Sequence, residues 1–204
     1  PLWWLAEPGK AACPLGDRVE EAVYKILRDS LILNRQALEE AIYPHFPGFL
    51  TPEEGLIEAC LESYAKEITP GRWHLREEDQ EAYREEQRLR GVAQLIRLGQ
   101  RLGYGVWVNS AWRGPASERM GFDPGPLASF DILWYEEGTI HAFVLTKTAA
   151  LGRILQKEGG AGEIYRYLVI PAERASLVDF KLRRNPLLRE AVAAGNWQII
   201  KYGH

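Results

Sequence analysis

Apolar residues in the first half of the chain recur every three or four positions. This spacing predicts amphipathic helices over residues 18–29, 35–43 and 52–65, each with one face turned to a core. The pattern then changes, and residues 72–75 are typical of a short strand. The first half of the chain is therefore predicted to be mainly helical.

Polar residues at the helix starts support these boundaries. Asp17 is the expected cap of the first helix, and Thr51 with Pro52 and Glu54 is typical of a capping box for the third. Three compact helices followed by an extended piece indicate a winged-helix-like unit, which we place at residues 1–75.

The third helix is acidic, which leaves two roles open for this unit. It carries Glu53, Glu54, Glu58 and Glu62 against Lys66 alone. Carboxylates repel DNA phosphates, so a helix of this kind is a poor reader of the major groove. One interpretation is a DNA-reading unit, and the other is a helical bundle for packing or docking.

The second half of the chain, which we place at residues 76–204 as one domain, alternates helices and strands. A long helix is predicted to end at Gly103, and a tight turn at 136–139 is predicted to join two apolar strands. The predicted helices are 77–102, 149–157 and 172–193, and the predicted strands are 104–109, 128–135, 140–146, 165–170 and 197–202. This order predicts a mixed α/β fold.

Composition narrows the class of protein. With 46% hydrophobic and 26% charged residues, the chain has the composition of a globular protein, and its net charge of −3 gives no overall basic signal for nucleic acid. Cys13 and Cys60 are too few and too far apart for a disulfide framework or a zinc pattern. No apolar run approaches the ~20 residues of a membrane span, and no secretion signal is evident. We therefore expect a cytoplasmic protein with no membrane partner.

The order of elements and several short motifs in residues 80–204 resemble the restriction-endonuclease-like fold of the PD-(D/E)xK nucleases. The residues that carry the likeness include Gly103-Tyr104-Gly105-Val106-Trp107, Phe130-Asp131-Ile132-Leu133-Trp134 and Tyr167-Leu168-Val169-Ile170-Pro171. The resemblance implies an αβββαβ core, a first acid on the second strand, and a second acid and a lysine two residues apart on the third. Such enzymes hold Mg²⁺ between the carboxylates, and the metal activates a water molecule.

The predicted hairpin tests for that metal site. If the turn is centred between Glu137 and Gly138, Asp131 faces Val144, since directly opposed side chains lie on one face of a sheet. Valine cannot bind Mg²⁺, and Thr146 then takes the place of the lysine, because Lys147 points to the other face. The nuclease-like domain is therefore predicted to be catalytically inactive, with no metal site.

A rearranged site is the enzymatic alternative. The long helix carries Glu85 and Glu86, and nucleases of this fold sometimes take an acid from that helix. Asp131, Glu86 and Lys147 would then form a Mg²⁺-dependent catalytic set. Otherwise Glu86 belongs to a solvated helix face, and Asp131 is satisfied by backbone donors.

Residues 172–204 carry six basic and three acidic residues, which indicates a local basic patch. We expect DNA phosphates to be contacted there, and by two arginines of the loop before residue 127. The candidate nucleic-acid-binding residues are Arg113, Arg119, Lys181, Arg183 and Arg184.

These expectations combine into a DNA-handling accessory domain of a restriction, modification or repair protein. A weaker resemblance supports the setting: residues 14–20 and 49–53 are similar to regions that follow bacterial DNA methyltransferase modules, so such a module is a possible partner. The alternatives are a metal-dependent nuclease and a protein-docking module. In the docking case, the acidic third helix and the segment around Trp3 and Trp4, which we expect to abut a neighbouring domain, would meet the partner.

Overall fold

The structure, a computed structural model, describes residues 13–109, 124–157 and 163–203, except for the side chain of Phe49. It is a mixed α/β protein, as the sequence predicts. The elements of the first half are α1 (Leu15–Asp29), β1 (Leu33–Asn34), α2 (Arg35–Ile42), α3 (Glu54–Tyr64), β2 (Ala65–Thr69) and β3 (Arg72–Leu75). Those of the second half are α4 (Glu81–Arg101), β4 (Gly105–Val108), β5 (Ile132–Glu136), β6 (Thr139–Leu145), α5 (Gly152–Leu155), β7 (Glu163–Pro171), α6 (Ala175–Arg184), α7 (Pro186–Ala194) and β8 (Trp197–Tyr202).

The described residues form two compact units, and neither is a continuous stretch of chain. The first contains the residues up to Tyr83 together with Ala149–Arg153 and Glu173–Glu190. The second contains Arg84–Thr148, Ile154–Ala172 and the residues from Ala191. This division differs from the sequence-based boundary between residues 75 and 76, because two later segments belong with the first unit.

Helix α3 is central to the first unit, where it packs against α1 and α6. Its apolar face, which includes Ile57 and Cys60, is buried, as is the stripe of Val19, Val23 and Leu27 on α1. The spacing of apolar residues predicted both faces. The unit also contains a three-stranded sheet in the order β1-β3-β2. The sequence indicated only β3, because β1 has two residues and β2 buries only its first.

Two predicted helix caps are wrong. Helix α1 begins at Leu15 after Pro14, and Asp17 lies inside its first turn. Helix α3 begins at Glu54 without a side-chain cap, because the Thr51 hydroxyl donates to the Gly48 carbonyl at 2.7 Å instead. In both cases a polar side chain of the capping type bonds to another part of the unit.

Buried ion pairs join the separate segments of the first unit. The Lys181 ammonium donates to the carboxylates of Asp17, at 2.7 Å, and Glu20, and the lysine side chain is 1% exposed. The Arg174 guanidinium pairs with Asp79 and lies 3.7 Å from the centroid of the Tyr64 ring. Since unpaired buried charges are costly, the Lys181 contacts fix α6 against α1, and the Arg174 contacts fix the start of α6 against Asp79 and the end of α3.

The same two carboxylates also hold the short segment Ala149–Arg153. Asp17 accepts hydrogen bonds from the backbone N–H groups of Leu151, at 2.9 Å, and Gly152, at 2.8 Å. Glu20 accepts one from the N–H of Ala149 at 2.7 Å. These bonds explain why a segment so distant in sequence belongs to the first unit.

The second unit is built on a five-stranded mixed sheet in the order β4-β5-β6-β7-β8. Strands β4, β5 and β6 are antiparallel, whereas β6, β7 and β8 are parallel. The hairpin pairs Leu133 with Ala142 and Tyr135 with Ile140, which confirms the predicted register. Its turn has positive φ at Glu137 and Gly138, as two-residue hairpin turns of the primed type require.

Helix α4 packs on one face of this sheet. Val92 of the helix joins a buried cluster with Ile132, Phe143 and other strand residues. The close approach depends on Gly99, since a Cβ atom there would lie 2.5 Å from the Trp134 indole nitrogen. The helix ends as predicted, with Gly103 at a φ of 91°. Within the part of the chain that the structure describes, no helix is long and apolar enough to span a membrane.

We expect Lys181→Met to destabilise the protein by about 3–5 kcal/mol, because it leaves Asp17 and Glu20 buried without their counter-ion. Urea denaturation followed by circular dichroism measures the change. Arg184→Met is the matched control on the same helix. Arg184 is exposed and lies 3.4 Å from Glu53, so its loss should cost less than about 1 kcal/mol. Equal midpoints for the two variants would contradict the proposed role of Lys181.

Candidate functional site

Polar side chains that could form a site lie together at one edge of the five-stranded sheet. Strands β6, β7 and β8 are parallel, so their carboxyl ends lie at the same edge. Asp131, which precedes β5, and Asn109, which follows β4, also lie there, because β4 and β6 both run antiparallel to β5. We call this the carboxyl edge. In open α/β sheets, ligands commonly bind outside this edge.

The carboxylate of Asp131 is held by protein donors. Its Oδ2 accepts a hydrogen bond from the Leu145 backbone N–H at 2.7 Å, and its Oδ1 accepts one from Arg88 Nη2 at 3.3 Å. The main chain of Asp131 is bonded on both sides, donating to Phe143 and accepting from Asn109, each at 2.9 Å. The side chain is only 14% exposed, so these bonds hold Asp131 in one position at the edge of the sheet.

The position expected to hold a second acid is aliphatic. The regular pairing of β5 with β6 ends at Ile132 and Phe143, and the next residues along the two strands are Asp131 and Val144. Val144 is 6% exposed and belongs to the core. Strand β6 therefore donates a backbone N–H to Asp131, and its residue at the position expected for a second acid is a valine.

The acid that α4 brings to the edge is Glu85. Its Oε2 lies 2.9 Å from Lys147 Nζ, whereas Glu86 is 56% exposed and accepts from Arg90 at 2.5 Å. Residues 85 and 86 point about 100° apart on a helix, so only one of them can turn towards the strand end. Of the predicted set of Asp131, Glu86 and Lys147, the described contacts pair Lys147 with Glu85 and Asp131 with Arg88, whereas Glu86 pairs with Arg90.

Helix α4 contacts both sides of the edge within one turn. Arg84 donates to the Lys147 carbonyl at 2.8 Å, Glu85 pairs with the Lys147 ammonium, and Arg88 pairs with Asp131. Sequence reasoning placed Asp131 and Lys147 on opposite faces of the sheet. Both lie outside the regular strands, and both meet α4.

Another cation, Lys157, lies beside the two residues that precede Asp131. Its ammonium donates to the Ser129 carbonyl and lies 5.6 Å from the centroid of the Phe130 ring. Burial lowers the pKa of Lys157 below its ordinary value, and the negative charge of Asp131 partly offsets that effect. The hydrogen bond from Lys147 lowers the pKa of the Glu85 carboxyl below its ordinary value.

The charge balance of the site follows from these contacts. Four cations, Arg84, Arg88, Lys147 and Lys157, lie at this edge with two carboxylates, Asp131 and Glu85. A Mg²⁺ site requires the opposite balance, with oxygen ligands in excess of positive charge. Among residues 13–109, 124–157 and 163–203, no three acidic, histidine or cysteine side chains are grouped so that they could hold a metal ion.

The predicted nucleic-acid-binding residues have different environments. The prediction for Lys181 is corrected, because its ammonium is buried between Asp17 and Glu20 and cannot reach a phosphate. Arg183 and Arg184 are exposed on α6, and Arg184 lies over the Phe180 ring. The other two, Arg113 and Arg119, lie outside the described residues.

Sequence reasoning missed Arg88 and Lys157. Arg84 and Arg88 are four residues apart, so both can project from one face of α4 towards the same strand end. That spacing was a usable signal for Arg88. Lys157 follows a four-residue helix and lies in no periodic pattern, so nothing in the sequence links it to Asp131.

No protein-family model, curated protein or solved structure matches the chain. The function therefore has to be inferred from the geometry and charge of its own side chains. The carboxyl edge has six charged groups, drawn from α4, the residue before β5 and the segment between β6 and β7, and it is the strongest candidate site.

We expect Asp131→Ala to destabilise the protein by about 1–3 kcal/mol in buffer that contains EDTA. The variant leaves the buried N–H of Leu145 and the guanidinium of Arg88 without an acceptor that they now share. Urea denaturation measures the change. Glu86→Ala, which removes an exposed acid of α4, should change stability by less than about 0.5 kcal/mol.

The same experiment distinguishes a structural acid from a metal ligand. Removal of a metal-binding carboxylate relieves repulsion between acids when no metal is present, so it leaves stability unchanged or raises it. A stable Asp131→Ala variant, together with Mg²⁺-dependent stabilisation of the wild type, would show that Asp131 is a ligand.

Proposed function

We propose that the chain is a DNA-binding accessory module whose second unit has a nuclease-like fold and does not cleave DNA. The observation that carries the proposal is the state of Asp131. Both of its carboxylate oxygens accept bonds from protein donors, and the adjacent strand position is Val144. Asp131 and Glu85 are each already paired with a cation, which argues against a two-carboxylate Mg²⁺ site.

The order of elements in the second unit supports a nuclease-like fold. Helix α4 is followed by the antiparallel strands β4, β5 and β6, then α5 and the parallel strand β7. This order agrees with the αβββαβ core that the resemblance implies. Asp131 and Lys147 also flank the β5–β6 hairpin at one end, where the resemblance places the reactive groups.

The first unit supports the proposal through its own arrangement. Three helices are followed by the antiparallel hairpin of β2 and β3, which is the layout expected of a winged-helix-like unit. Its helix α3 is not a good DNA reader, however. Arg35 pairs with Glu54 and with Glu58, so the acids of α3 already take up this neighbouring cation. We therefore assign DNA contact to the second unit and to Arg183 and Arg184.

The biological setting that we propose is restriction, modification or repair of DNA, with a DNA methyltransferase module as a partner. Two other functions follow from different outcomes of the same assays. A metal-dependent nuclease would cleave DNA with Mg²⁺ or Mn²⁺, and a docking module would neither cut nor bind it.

We expect the purified chain to bind a fluorescently labelled DNA duplex in EDTA, with an affinity that falls steeply as KCl rises from 50 to 200 mM. Each phosphate contact contributes a slope of about −0.9 to the plot of log affinity against log salt. Anisotropy titrations measure this dependence. Absence of binding at 50 mM KCl would contradict the proposed function.

We expect no cleavage of supercoiled plasmid DNA by the chain with 10 mM Mg²⁺ or Mn²⁺. The physical reason is the lack of a carboxylate pair to hold the ion that activates water. Gel analysis after prolonged incubation checks this, with Asp131→Ala as the control for a contaminating nuclease. Cleavage by the wild type that is lost in Asp131→Ala would establish the enzymatic alternative.

A further inference from the structure

We propose that the outer face of α4 binds the phosphate backbone of duplex DNA through Arg90, Arg97 and Arg101, a set that we call the arginine stripe. This inference rests on the proposed function and names the surface of the second unit that makes the contact. Because only phosphates are recognised, the contact does not depend on the base sequence of the DNA.

The spacing of the three arginines places them on one side of the helix. Positions 90, 97 and 101 differ by seven and by four residues, which is close to two turns and one turn of an α-helix. Val92 and Gly99 lie on the opposite side, where they pack on the sheet, whereas all three arginines are exposed. At a rise of 1.5 Å per residue, the stripe is about 16 Å long.

The charges of α4 are unevenly distributed along its length. Its acids all lie within residues 81–86, whereas residues 87–101 contain four arginines and no acid. One of these four, Arg88, turns towards the sheet and pairs with Asp131. The other three form the stripe, so the outer face of this part of the helix has an excess of positive charge.

The members of the stripe differ in whether an acid already pairs with them. Arg90 is 69% exposed and pairs at 2.5 Å with Glu86, which lies one turn earlier on the same side of the helix. An exposed pair of this kind is weak, so a phosphate can replace the carboxylate. Among the described residues, no carboxylate forms an ion pair with Arg97 or Arg101. Their N–H donors are therefore open to an external anion.

The length of the stripe selects the kind of ligand. Arg90 and Arg101 are about 16 Å apart along the helix axis, so the stripe is suited to a row of anionic groups rather than to one small anion. Duplex DNA carries one negative charge per about 1.7 Å of its axis when both strands are counted, so several phosphates lie within that length. Arginine also binds phosphate oxygens in pairs through its planar guanidinium.

The side chains between the arginines leave this face open to DNA. Ala93 and Gln94, which follow Arg90 on the exposed part of the helix, carry no charge. Alanine is too short to block a phosphate, and the glutamine amide can donate a hydrogen bond to one. Glu86, at the start of the face, is the one acid that α4 pairs with the stripe among the described contacts.

The test is a set of anisotropy titrations of labelled duplex DNA with the wild type and its variants over a range of KCl concentrations. Arg97→Gln/Arg101→Gln should weaken binding about tenfold or more at 100 mM KCl. It should also reduce the magnitude of the salt slope by about 1.8, since each lost phosphate contact contributes about 0.9. Arg97→Lys/Arg101→Lys keeps both charges and should retain the wild-type slope. Two duplexes of unrelated sequence should give the same ratios.

A matched control separates this surface from the net charge of the protein. Lys25→Gln/Arg28→Gln removes two exposed cations from α1 in the first unit and should leave the salt slope unchanged. Glu86→Gln tests the stripe from the opposite direction, because it frees Arg90 from its partner and should tighten binding severalfold. All the substituted side chains are exposed, and urea midpoints verify that each variant folds.

Three outcomes would overturn the inference. They are a salt slope for Arg97→Gln/Arg101→Gln that equals that of the α1 control, a slope for the lysine variant as low as for the glutamine variant, and weaker binding by Glu86→Gln. If the wild type binds DNA and only Arg183→Gln/Arg184→Gln weakens it, the proposed function stands and the arginine stripe is the wrong surface. If the wild type binds no DNA, the proposed function fails and the stripe fails with it.

Discussion

A charge removed from water must be paired within the protein, and this constraint explains both units. In the first unit it acts on Lys181, whose ammonium lies between two carboxylates of α1. In the second it acts on Asp131, whose carboxylate takes a backbone N–H from β6 and a guanidinium from α4. In each case the pairing connects elements that are far apart in sequence, so the positions of those elements follow from the need to pair the charge.

The same constraint decides what the carboxyl edge can bind. Asp131 and Glu85 are each paired with a cation, so neither has the uncompensated negative charge that attracts a divalent ion. Their pairing also explains why α4 and the residues on either side of the β5–β6 hairpin lie together.

Most of the fold could be predicted because most elements show a regular spacing of apolar residues along the chain. The register of the β5–β6 hairpin was predicted correctly, since its turn and the alternation of its strands fix one pairing, whereas β5 begins four residues later than predicted. The strands β1 and β2 were missed because they are short or exposed and show no alternation. The later segments of the first unit were assigned elsewhere, because tertiary pairing with Asp17 and Glu20 leaves no local pattern.

The candidate site was predicted less well than the fold, for two physical reasons. The rotation of α4 about its axis decides whether Glu85 or Glu86 faces the end of β6. The spacing of apolar residues fixes that rotation only to within about one residue. Lys181 was assigned to a basic surface by counting charges. Its spacing from Arg174, Leu177 and Val178 places all four on one helical face, and that face is buried. Periodicity was the better guide there, even though two of the four residues are charged.

A guanidinium differs from a divalent metal ion in its chemistry as well as in its charge. A bound divalent ion lowers the pKa of its water molecule and so supplies a hydroxide nucleophile at neutral pH. Arg88 has no coordination site for water, so its pairing with Asp131 cannot generate that nucleophile. The effect of the pairing is structural, because it joins α4 to the residue that precedes β5 while the same carboxylate accepts a backbone N–H from β6. One acid therefore connects three elements of the second unit.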